Sequence, residues 1–341
     1  MTPSHRSRVP RVFGHLPNEW HTRWTATNPA VARVRSGDRL VLEVPEASSG
    51  QLSANSTTAD LARLDYARVD AAVGPFAVEG AHPGDGLALH LERIQVGDWG
   101  WSGVFREFGL LRDRFEDALV TWRIDRGVAR PRSGFVRPVR IPVRPMLGWL
   151  GTAPGKGEHG MIPPQRTGGN MDSRLQAPGA VLLLPVEVED ALLSVGDPHA
   201  AMGDGEVCGT GIETPAHVEM WLELVRGGAP RFPRLEVERL PVDSGPAWVT
   251  TGIGPDPMAA ARDAVEGMIE WLGNCGISPK ESYLLTSIVG HLRLSEVVDL
   301  PNYVVSLTFP RDLPGLGLSG STPFKPTRPP RARSRHVGLS E

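Results

Sequence analysis

The sequence predicts a mainly β fold, with a sandwich-like or barrel-like body followed by a small C-terminal α+β unit. The 341 residues include 39 Gly and 32 Pro, and this composition favours short strands and turns over long helices. Apolar runs of strand length recur over most of the chain, whereas clear helical periodicity appears only near its C-terminal end. We therefore expect strands to build the body and helices to be added late.

The chain divides into four predicted parts. Residues 1–20 are polar and basic and predict a flexible arm, and residues 21–250 predict the β-rich catalytic body. Residues 251–312 predict an α+β unit of the same catalytic region. Residues 313–341 are rich in Pro and Arg, which is typical of a disordered, solubilising tail.

Short strands are predicted wherever apolar residues alternate or run continuously between turn signals. In residues 87–96 the apolar phase shifts by one at Glu92–Arg93, which indicates a bulge in a half-buried strand. Three Pro within residues 137–145 favour an edge strand or an extended segment, and residues 148–170 predict a long functional loop. The remaining predicted strands cover residues 39–44, 74–78, 179–188, 191–195, 217–225, 234–240, 247–251, 293–298 and 303–308.

Two helices are predicted near the C-terminus. Residues 257–272 repeat apolar side chains mostly at three- and four-residue steps, Asp256 can cap this helix, and Gly273 or Gly276 can end it. A second helix is predicted over residues 278–289, because its first residues have capping-box spacing.

Composition excludes several functional classes. The formal net charge of −3 provides no basic field for nucleic acid. No apolar run reaches the ~20 residues of a membrane span, and the N-terminus lacks the apolar region of a secretory signal. The two cysteines, Cys208 and Cys275, provide no disulfide framework. We therefore expect a cytoplasmic protein without a nucleic-acid or membrane partner.

Residues 196–213 carry a high density of groups that can bind a metal ion. They read GDPHAAMGDGEVCGTGIE, with two Asp, two Glu, one His, one Cys, five Gly and no Lys or Arg. Asp197 and His199 follow an apolar run, and alternate residues of a strand point to one face, so these side chains are expected to converge. The turn at residues 203–205 can bring Glu206 and Glu213 back toward them. A solvated acidic hairpin is the alternative, which the density of acids and glycines disfavours.

This stretch resembles the signature of the acetamidase/formamidase family, whose members hydrolyse short amides to carboxylate and ammonia. Residues 75–103, 168–174 (GGNMDSR), 185–186 and 292–302 (LRLSEVVDLPN) also resemble family blocks, in the family's order. The resemblance covers roughly residues 20–312. It implies a metal-associated amidase, a homo-oligomer, and a substrate cleft close to residues 98–101.

Amide hydrolysis needs an activated nucleophile, a stabiliser for the oxyanion and a proton donor for the departing amine. In the favoured route a divalent metal ion, with zinc as the first candidate, activates a water molecule and polarises the carbonyl. Asp172, Asp197 and His199 are the candidate ligands, and either Glu206 or Glu213 is the candidate general base.

Neighbouring residues complete the predicted site. Asn170 is a candidate oxyanion donor, although a turn after two glycines explains it equally well. Gly169, Trp99 and Trp101 are predicted to contact the substrate, with edge packing as the alternative for the two tryptophans. His217 is a possible fourth ligand. His90 is expected on a polar strand face, directed to solvent rather than to the cleft.

Nucleophilic routes are disfavoured. Cys208 lies between two glutamates, which raise rather than lower the pKa of a thiol, and no Lys between Lys156 and Lys280 can complete a Glu–Lys–Cys arrangement like that of nitrilase-type amidases. The serines lack both a paired Lys and a G-x-S-x-G elbow.

Three positions depart from the family pattern. Asp70 stands where relatives tend to have His, His291 stands where they tend to have Asp, and Arg166 is unusual before the GGNMD block. Asp70 and His291 together suggest an exchanged acid–base pair or a retuned pocket. The predicted function is hydrolysis of a short aliphatic amide such as formamide or acetamide. The alternatives are a longer amide, a lactam or cyclic imide, or a non-catalytic relative that binds an amide-like ligand.

Overall fold

The computed structural model describes residues 12–14, 19–111, 113–132, 139–238 and 246–311. Strands make up 41% of it and helices 12%, so the predicted mainly β fold is confirmed. The strands are β1 Val12–Gly14, β2 Trp20–His21, β3 Trp24–Thr25, β4 Ala32–Val34, β5 Arg39–Val44, β6 Ala72–Val78, β7 Gly86–Val96, β8 Trp99–Val104, β9 Ala118–Asp125, β10 Val128–Pro131, β11 Ile141–Pro142, β12 Met146–Thr152, β13 Glu158–His159, β14 Gly168–Asn170, β15 Val181–Pro185, β16 Leu193–His199, β17 Ala216–Val225, β18 Arg234–Val237, β19 Ala247–Gly254, β20 His291–Glu296 and β21 Tyr303–Pro310. The helices are α1 Thr58–Leu61, α2 Pro257–Asn274 and α3 Pro279–Val289, with a 3-10 turn at Tyr66–Arg68.

Two large sheets share the main core. The nine-stranded sheet runs β1-β5-β17-β7-β15-β18-β19-β21-β20, and the six-stranded sheet runs β14-β12-β16-β6-β2 with β4 on β6. Alternate residues of β7, such as Leu87 and Leu89, meet residues of the second sheet such as Phe76 and Leu147 in one buried cluster. Apolar faces of two sheets exclude water most fully when they pack on each other, and the result is the predicted sandwich.

Helices α2 and α3 cover the outer face of the nine-stranded sheet. Ala88 and Leu183 point to this side and pack in one cluster with Met268 and Trp271 of α2. The first half of β7 is therefore buried on both faces, which corrects the prediction of a half-buried strand over residues 87–96 in its first part, residues 87–91. The predicted bulge is confirmed, because the register of β7 and β17 shifts at Glu92.

Helix α2 begins and ends close to the predicted positions. The Asp256 carboxylate accepts hydrogen bonds from the backbone N–H groups of Met258 (2.8 Å) and Ala259 (3.3 Å), as an N-cap does. Cys275 is the C-cap, and Gly276 follows with φ of 88°, a conformation that glycine adopts without steric cost.

The prediction of a long loop over residues 148–170 is wrong for the first and last parts of that range, which form strands β12 and β14. Strand β12 is fully buried between β14 and β16. The sequence did not predict β12, because a segment rich in glycine lacks the apolar pattern of a strand. Gly151 has the Trp24 ring where a side chain would stand. Strand β11 is an edge strand of the four-stranded sheet β11-β10-β9-β8. The edge strand predicted within residues 137–145 is therefore confirmed at β11.

The structure also corrects the expectation that the His90 side chain is directed to solvent. This side chain is buried, and its ring stacks on Trp221 with a centroid distance of 3.5 Å and an interplanar angle of 8°. The neighbouring strand β17 supplies Trp221 directly opposite His90. The apolar partner lies on another strand, so the local sequence of β7 did not reveal it.

The chain termini match the prediction only in part. Strand β1 lies inside the predicted flexible arm and pairs in parallel with β5, which corrects the prediction at residues 12–14. The other residues up to 18 and the predicted tail from 313 lie outside the described residues, and the four-part division stays a prediction. Within the described ranges no helix is long and apolar enough to cross a membrane.

Candidate active site

The candidate site lies where β16 ends against β12 and β14. Asp197 and His199 are alternate residues of β16 and both are buried, as the sequence predicted. Asp172 follows β14, which reaches β16 through their shared neighbour β12. One ligand atom from each of Asp172, Asp197 and His199 lies within 4.8 Å of the others. The structure therefore brings the three predicted metal ligands together.

Gly148 makes room for this group. It lies in β12 between the two carboxylates, and a Cβ at this position would overlap both Asp172 Oδ1 and Asp197 Oδ2. Any larger residue would push the carboxylates apart. The role of Gly148 could not be read from the sequence, because it depends on two side chains from distant parts of the chain.

Glu206 and Glu213 form a second group around the same histidine. His199 Nε2 lies 3.1 Å from Glu206 Oε1 and 3.1 Å from Glu213 Oε1. On its other edge, His199 Nδ1 lies 3.7 Å from Asp197 Oδ2. The imidazole thus meets the two predicted bases on one edge and the predicted ligand Asp197 on the other.

Burial perturbs the titration of these groups. Loss of hydration raises the pKa of Asp172 to about 8, and the charge of Asp197 adds to the effect. Burial likewise raises the pKa of Asp197 to about 7 and that of Glu206 well above its ordinary value. Burial alone would lower the pKa of His199, but the charges of Asp197 and Glu213 outweigh it and raise that pKa well above 6.5.

Several buried oxygens in the site have no hydrogen-bond partner among the described residues. These are both carboxylate oxygens of Asp172, Asp197 Oδ1, Glu213 Oε2 and Asn170 Oδ1. An unpaired buried carboxylate is costly, so this group requires a compensating charge. The backbone is also strained, since φ is positive at Asp172 (39°), Asp197 (53°) and Glu206 (41°), and such strain is frequent at functional sites.

A cavity of about 490 Å³ opens onto this group. Its polar lining includes Asp197, His199, Glu206, Glu213 and Asn170, together with further acids. Two of these further acids are Asp70, which departs from the family pattern, and Asp299, which was not predicted as a site residue.

Asp70 and Asp299 extend the acidic character of the cavity. Burial raises the pKa of Asp70 well above its usual range, and the charges of Asp197 and Glu213 raise it further. Asp299 accepts a 2.8 Å hydrogen bond from Asn170 Nδ2, and burial followed by the charge of Glu296 raises its pKa. Asp299 belongs to the family-like block 292–302, which was the one signal in the sequence that could have identified it.

The predicted substrate contacts separate into two sets. Trp101 and Asn170 line the cavity, whereas Trp99 and Gly169 are not among the described residues that line it. Trp99 instead packs beside Leu52, Leu61 and Leu119, which is the edge packing considered as its alternative.

Other candidates lie away from the site. His217 is half-buried on β17 and pairs with Glu43 at 2.7 Å, so the structure does not support a fourth ligand there. His291 is exposed and Arg166 pairs with Glu187. Neither is among the described residues that line the cavity, so the structure gives no support to an acid–base exchange between Asp70 and His291. Cys208 hydrogen-bonds to Thr210 O at 3.5 Å and is likewise absent from the described cavity lining.

A buried histidine among unpaired carboxylates, at the floor of a cavity, defines a candidate hydrolytic centre of the kind that holds a divalent cation. The chain belongs to the acetamidase/formamidase family, whose model matches residues 11–159 and 156–314.

Individual relatives agree with this membership. A formamidase of Methylophilus methylotrophus is 26% identical, over 86% of this chain and 89% of that protein. An acetamidase of Mycolicibacterium smegmatis is 28% identical, over 78% of this chain and 84% of that protein. The crystal structure of a predicted acetamidase/formamidase from Thermoanaerobacter tengcongensis has a TM-score of 0.80 and 30% identity, and the match covers 89% of this chain and 96% of that one.

Proposed function

We propose that this chain is an amidase that hydrolyses the C–N bond of a linear amide to a carboxylate and ammonia. The observation that carries the proposal is the buried Asp172–Asp197–His199 group, two members of which, Asp197 and His199, line the cavity, in a chain whose relatives are named formamidase and acetamidase. Formamide and acetamide are therefore the first substrates to test.

The donor set fits a divalent cation, for which we propose zinc. Three of the unpartnered buried oxygens belong to Asp172 and Asp197, and carboxylate oxygens with one imidazole are a common zinc set. Asp172, Asp197 and His199 would hold the ion. When bound, such a cation supplies positive charge that polarises an amide carbonyl and lowers the pKa of water.

His199 would contribute its imidazole to the ion. In the structure the ring has polar neighbours on both edges: Nδ1 lies 3.2 Å from the backbone oxygen of Asp197, and Nε2 lies 3.1 Å from the carboxylates of both Glu206 and Glu213. These contacts hold the orientation of the ring, as carboxylates beside metal-bound histidines do.

Proton transfer is assigned to the two glutamates. Both line the cavity and are buried, so one of them can take the proton from the attacking water and return it to the departing amine. Burial raises the pKa of Glu206 well above its ordinary value, which makes its carboxylate a stronger proton acceptor. Glu213 Oε1 also accepts a 2.8 Å hydrogen bond from Gly211 N–H, so Glu213 is more firmly fixed.

Asn170 takes a different role from the oxyanion donor predicted from sequence. Its Nδ2 already donates to Asp299, while its Oδ1 is buried without a partner. We propose that Oδ1 accepts an N–H of the substrate amide and so orients the leaving group.

The test measures ammonia release from formamide and acetamide, before and after chelation and after zinc is added back. We expect chelation to abolish release and zinc to restore it. His199→Ala and Asp197→Ala are each expected to lose bound metal and turnover, while His217→Ala, the matched control outside the cavity, keeps both. Wild-type metal content and rate in either site variant would refute the assignment.

Three further expectations come from the sequence and the family resemblance. We propose a homo-oligomer, a cytoplasmic location and a small-molecule substrate as the partner of the site. Light scattering on the purified protein measures the oligomeric state directly, and a single monomeric species would contradict the first of these.

A further inference from the structure

The cavity is much larger than a short amide needs. A water molecule occupies about 30 Å³ of liquid, so acetamide, with four non-hydrogen atoms, would fill roughly a quarter of the 490 Å³ cavity. Pockets of this size ordinarily bury most of the surface of a drug-sized ligand. The unfilled space lies beside an apolar wall.

Three aromatic rings form this wall, from the cavity mouth to its floor. Tyr66 at the mouth is 63% exposed, and its ring meets Phe105 edge-on at a centroid distance of 6.5 Å. Phe105 in turn meets Trp101 at 6.4 Å and 86°. Trp101 is only 4% exposed. These three residues, all in the cavity lining, are called the aromatic wall below.

The aromatic wall is joined directly to the acidic floor. Trp101 and Glu213 exchange two backbone hydrogen bonds, of 2.9 and 2.8 Å. The Trp101 indole N–H also donates to the buried carboxylate of Glu46 at 2.6 Å. Trp101 of the wall therefore keeps a fixed position relative to the predicted base.

Two glycines leave room for the rings of Phe105 and Phe108, which line the cavity. A side chain at Gly103 would overlap the ring of Phe105, and a side chain at Gly209 would overlap the ring of Phe108. Both rings are only half-buried, so part of each ring surface remains open. Half-open aromatic rings beside a catalytic centre are available to an apolar ligand group.

We infer that the preferred substrate is a primary amide whose acyl part carries an uncharged apolar group of about phenyl size. Its amide would lie at the acidic floor and its apolar group against Phe105. This inference deepens the proposed amidase function and rests on it. An anionic substituent would be repelled by the acids of the floor, Asp70 and Glu206 among them.

The experiment compares kcat/KM for acetamide, hexanamide and phenylacetamide with zinc-loaded protein. Because each buried methylene or ring contact contributes to transition-state binding, we expect kcat/KM to rise along this series and to reach about tenfold or more for phenylacetamide over acetamide. Phe105→Ala is expected to reduce that ratio by about fivefold or more.

Phe115→Ala is the matched control. Phe115 is 54% exposed and is not among the described residues of the cavity lining, so its removal leaves the ratio unchanged. If Phe105→Ala does not fold, Phe105→Leu provides the same comparison with an apolar side chain kept in place.

The outcomes separate this inference from the proposed function. If the protein hydrolyses acetamide with no preference for phenylacetamide, the inference is overturned and the amidase proposal stands. The same holds if Phe115→Ala lowers the ratio of kcat/KM for phenylacetamide over acetamide as much as Phe105→Ala does. No hydrolysis of any amide by folded, zinc-loaded protein overturns the amidase proposal. In that case calorimetry with phenylacetamide decides the inference, since binding weakened by Phe105→Ala supports it and an absence of binding refutes it.

Discussion

The helix-covered face of the nine-stranded sheet and the acidic floor of the cavity differ in the kind of side chain that they bury. Under α2, apolar side chains fill the interior: Met268 is fully buried, and Trp248 stacks on Trp271 with ring centroids 5.4 Å apart. At and just behind the cavity floor the buried groups include Asp197, whose Oδ1 lacks a hydrogen-bond partner among the described residues, and Asp172, both of whose carboxylate oxygens lack one. The first arrangement stabilises the fold, and the second costs stability unless a cation compensates the charge.

The contrast has a functional meaning. A site that binds a cation must present charges that are unpaired before the ion arrives, so it cannot be optimised for the stability of the metal-free protein. Substitutions at the cavity floor should therefore change activity more than stability, and substitutions in the core under α2 should change stability more than activity.

The largest expected effect is on activity at the cavity floor. Asp197→Asn keeps the shape of the side chain but removes its charge, so we expect kcat/KM to fall by about 10³-fold or more. The same change removes a carboxylate whose pKa is raised to about 7 by burial, so the unfolding temperature of the metal-free protein should rise or stay constant. Steady-state kinetics and calorimetry measure the two effects, and a variant that retains a tenth of the activity would contradict the assignment.

The reverse pattern is expected under α2. Met268→Ala leaves a cavity in the apolar core and should lower the free energy of unfolding by about 2–5 kcal/mol. The kcat/KM of the folded enzyme should not change. Met258→Ala, on the exposed side of the same helix, is the matched control and should cost less than about 0.5 kcal/mol. Equal losses in the two variants in urea denaturation would argue against this packing.

The pH dependence of the metal-free protein should sharpen the contrast. Burial raises the pKa of Asp197 to about 7 and the pKa values of Asp172 and Glu296 to about 8, whereas unfolded carboxyls titrate at about 4. Between these values the folded state binds more protons than the unfolded state, so stability falls as pH rises from about 4 to about 8. The raised pKa of His199 acts in the same direction, because its contribution is lost as pH rises through its folded pKa.

We therefore expect the unfolding temperature of the metal-free protein to be a few °C higher at pH 5 than at pH 8. The stabilisation gained by adding zinc should instead grow with pH, because ligands must lose their protons to bind it. Thermal unfolding at both values, with and without zinc, measures the two trends. A metal-free protein that is more stable at pH 8 would contradict the account of the buried acids.

The smallest expected effect concerns the start of α2. Asp256→Ala removes both hydrogen bonds to the first helical N–H groups and should cost about 1 kcal/mol of unfolding free energy. Asp256→Asn keeps an acceptor oxygen and should recover most of that loss. If the two variants are equally destabilised in urea, the cap does not act through its hydrogen bonds.

The sequence predicted features that depend on neighbouring residues. Strand β5 has the predicted bounds, and α2 has the predicted cap. Asp197 and His199 share a strand face because alternate residues must do so. The bulge at Glu92 was visible as a change of apolar phase.

Predictions failed where a partner came from elsewhere in the chain. Strand β12 was taken for a loop because Gly148 and Gly151 are explained only by Asp172, Asp197 and Trp24. His90 was assigned to solvent because Trp221 lies on another strand. Asp299 was overlooked because its contact with Asn170 spans 129 residues.

The sequence by itself determined the mainly β class, the family resemblance and the residue types available for a metal site, because periodicity and motif order are properties of the linear chain. Only the tertiary structure decided which acids share a cavity, which oxygens remain unpaired and how much room a substrate has. Burial and electrostatic coupling depend on distances between strands, and the sheet order sets those distances.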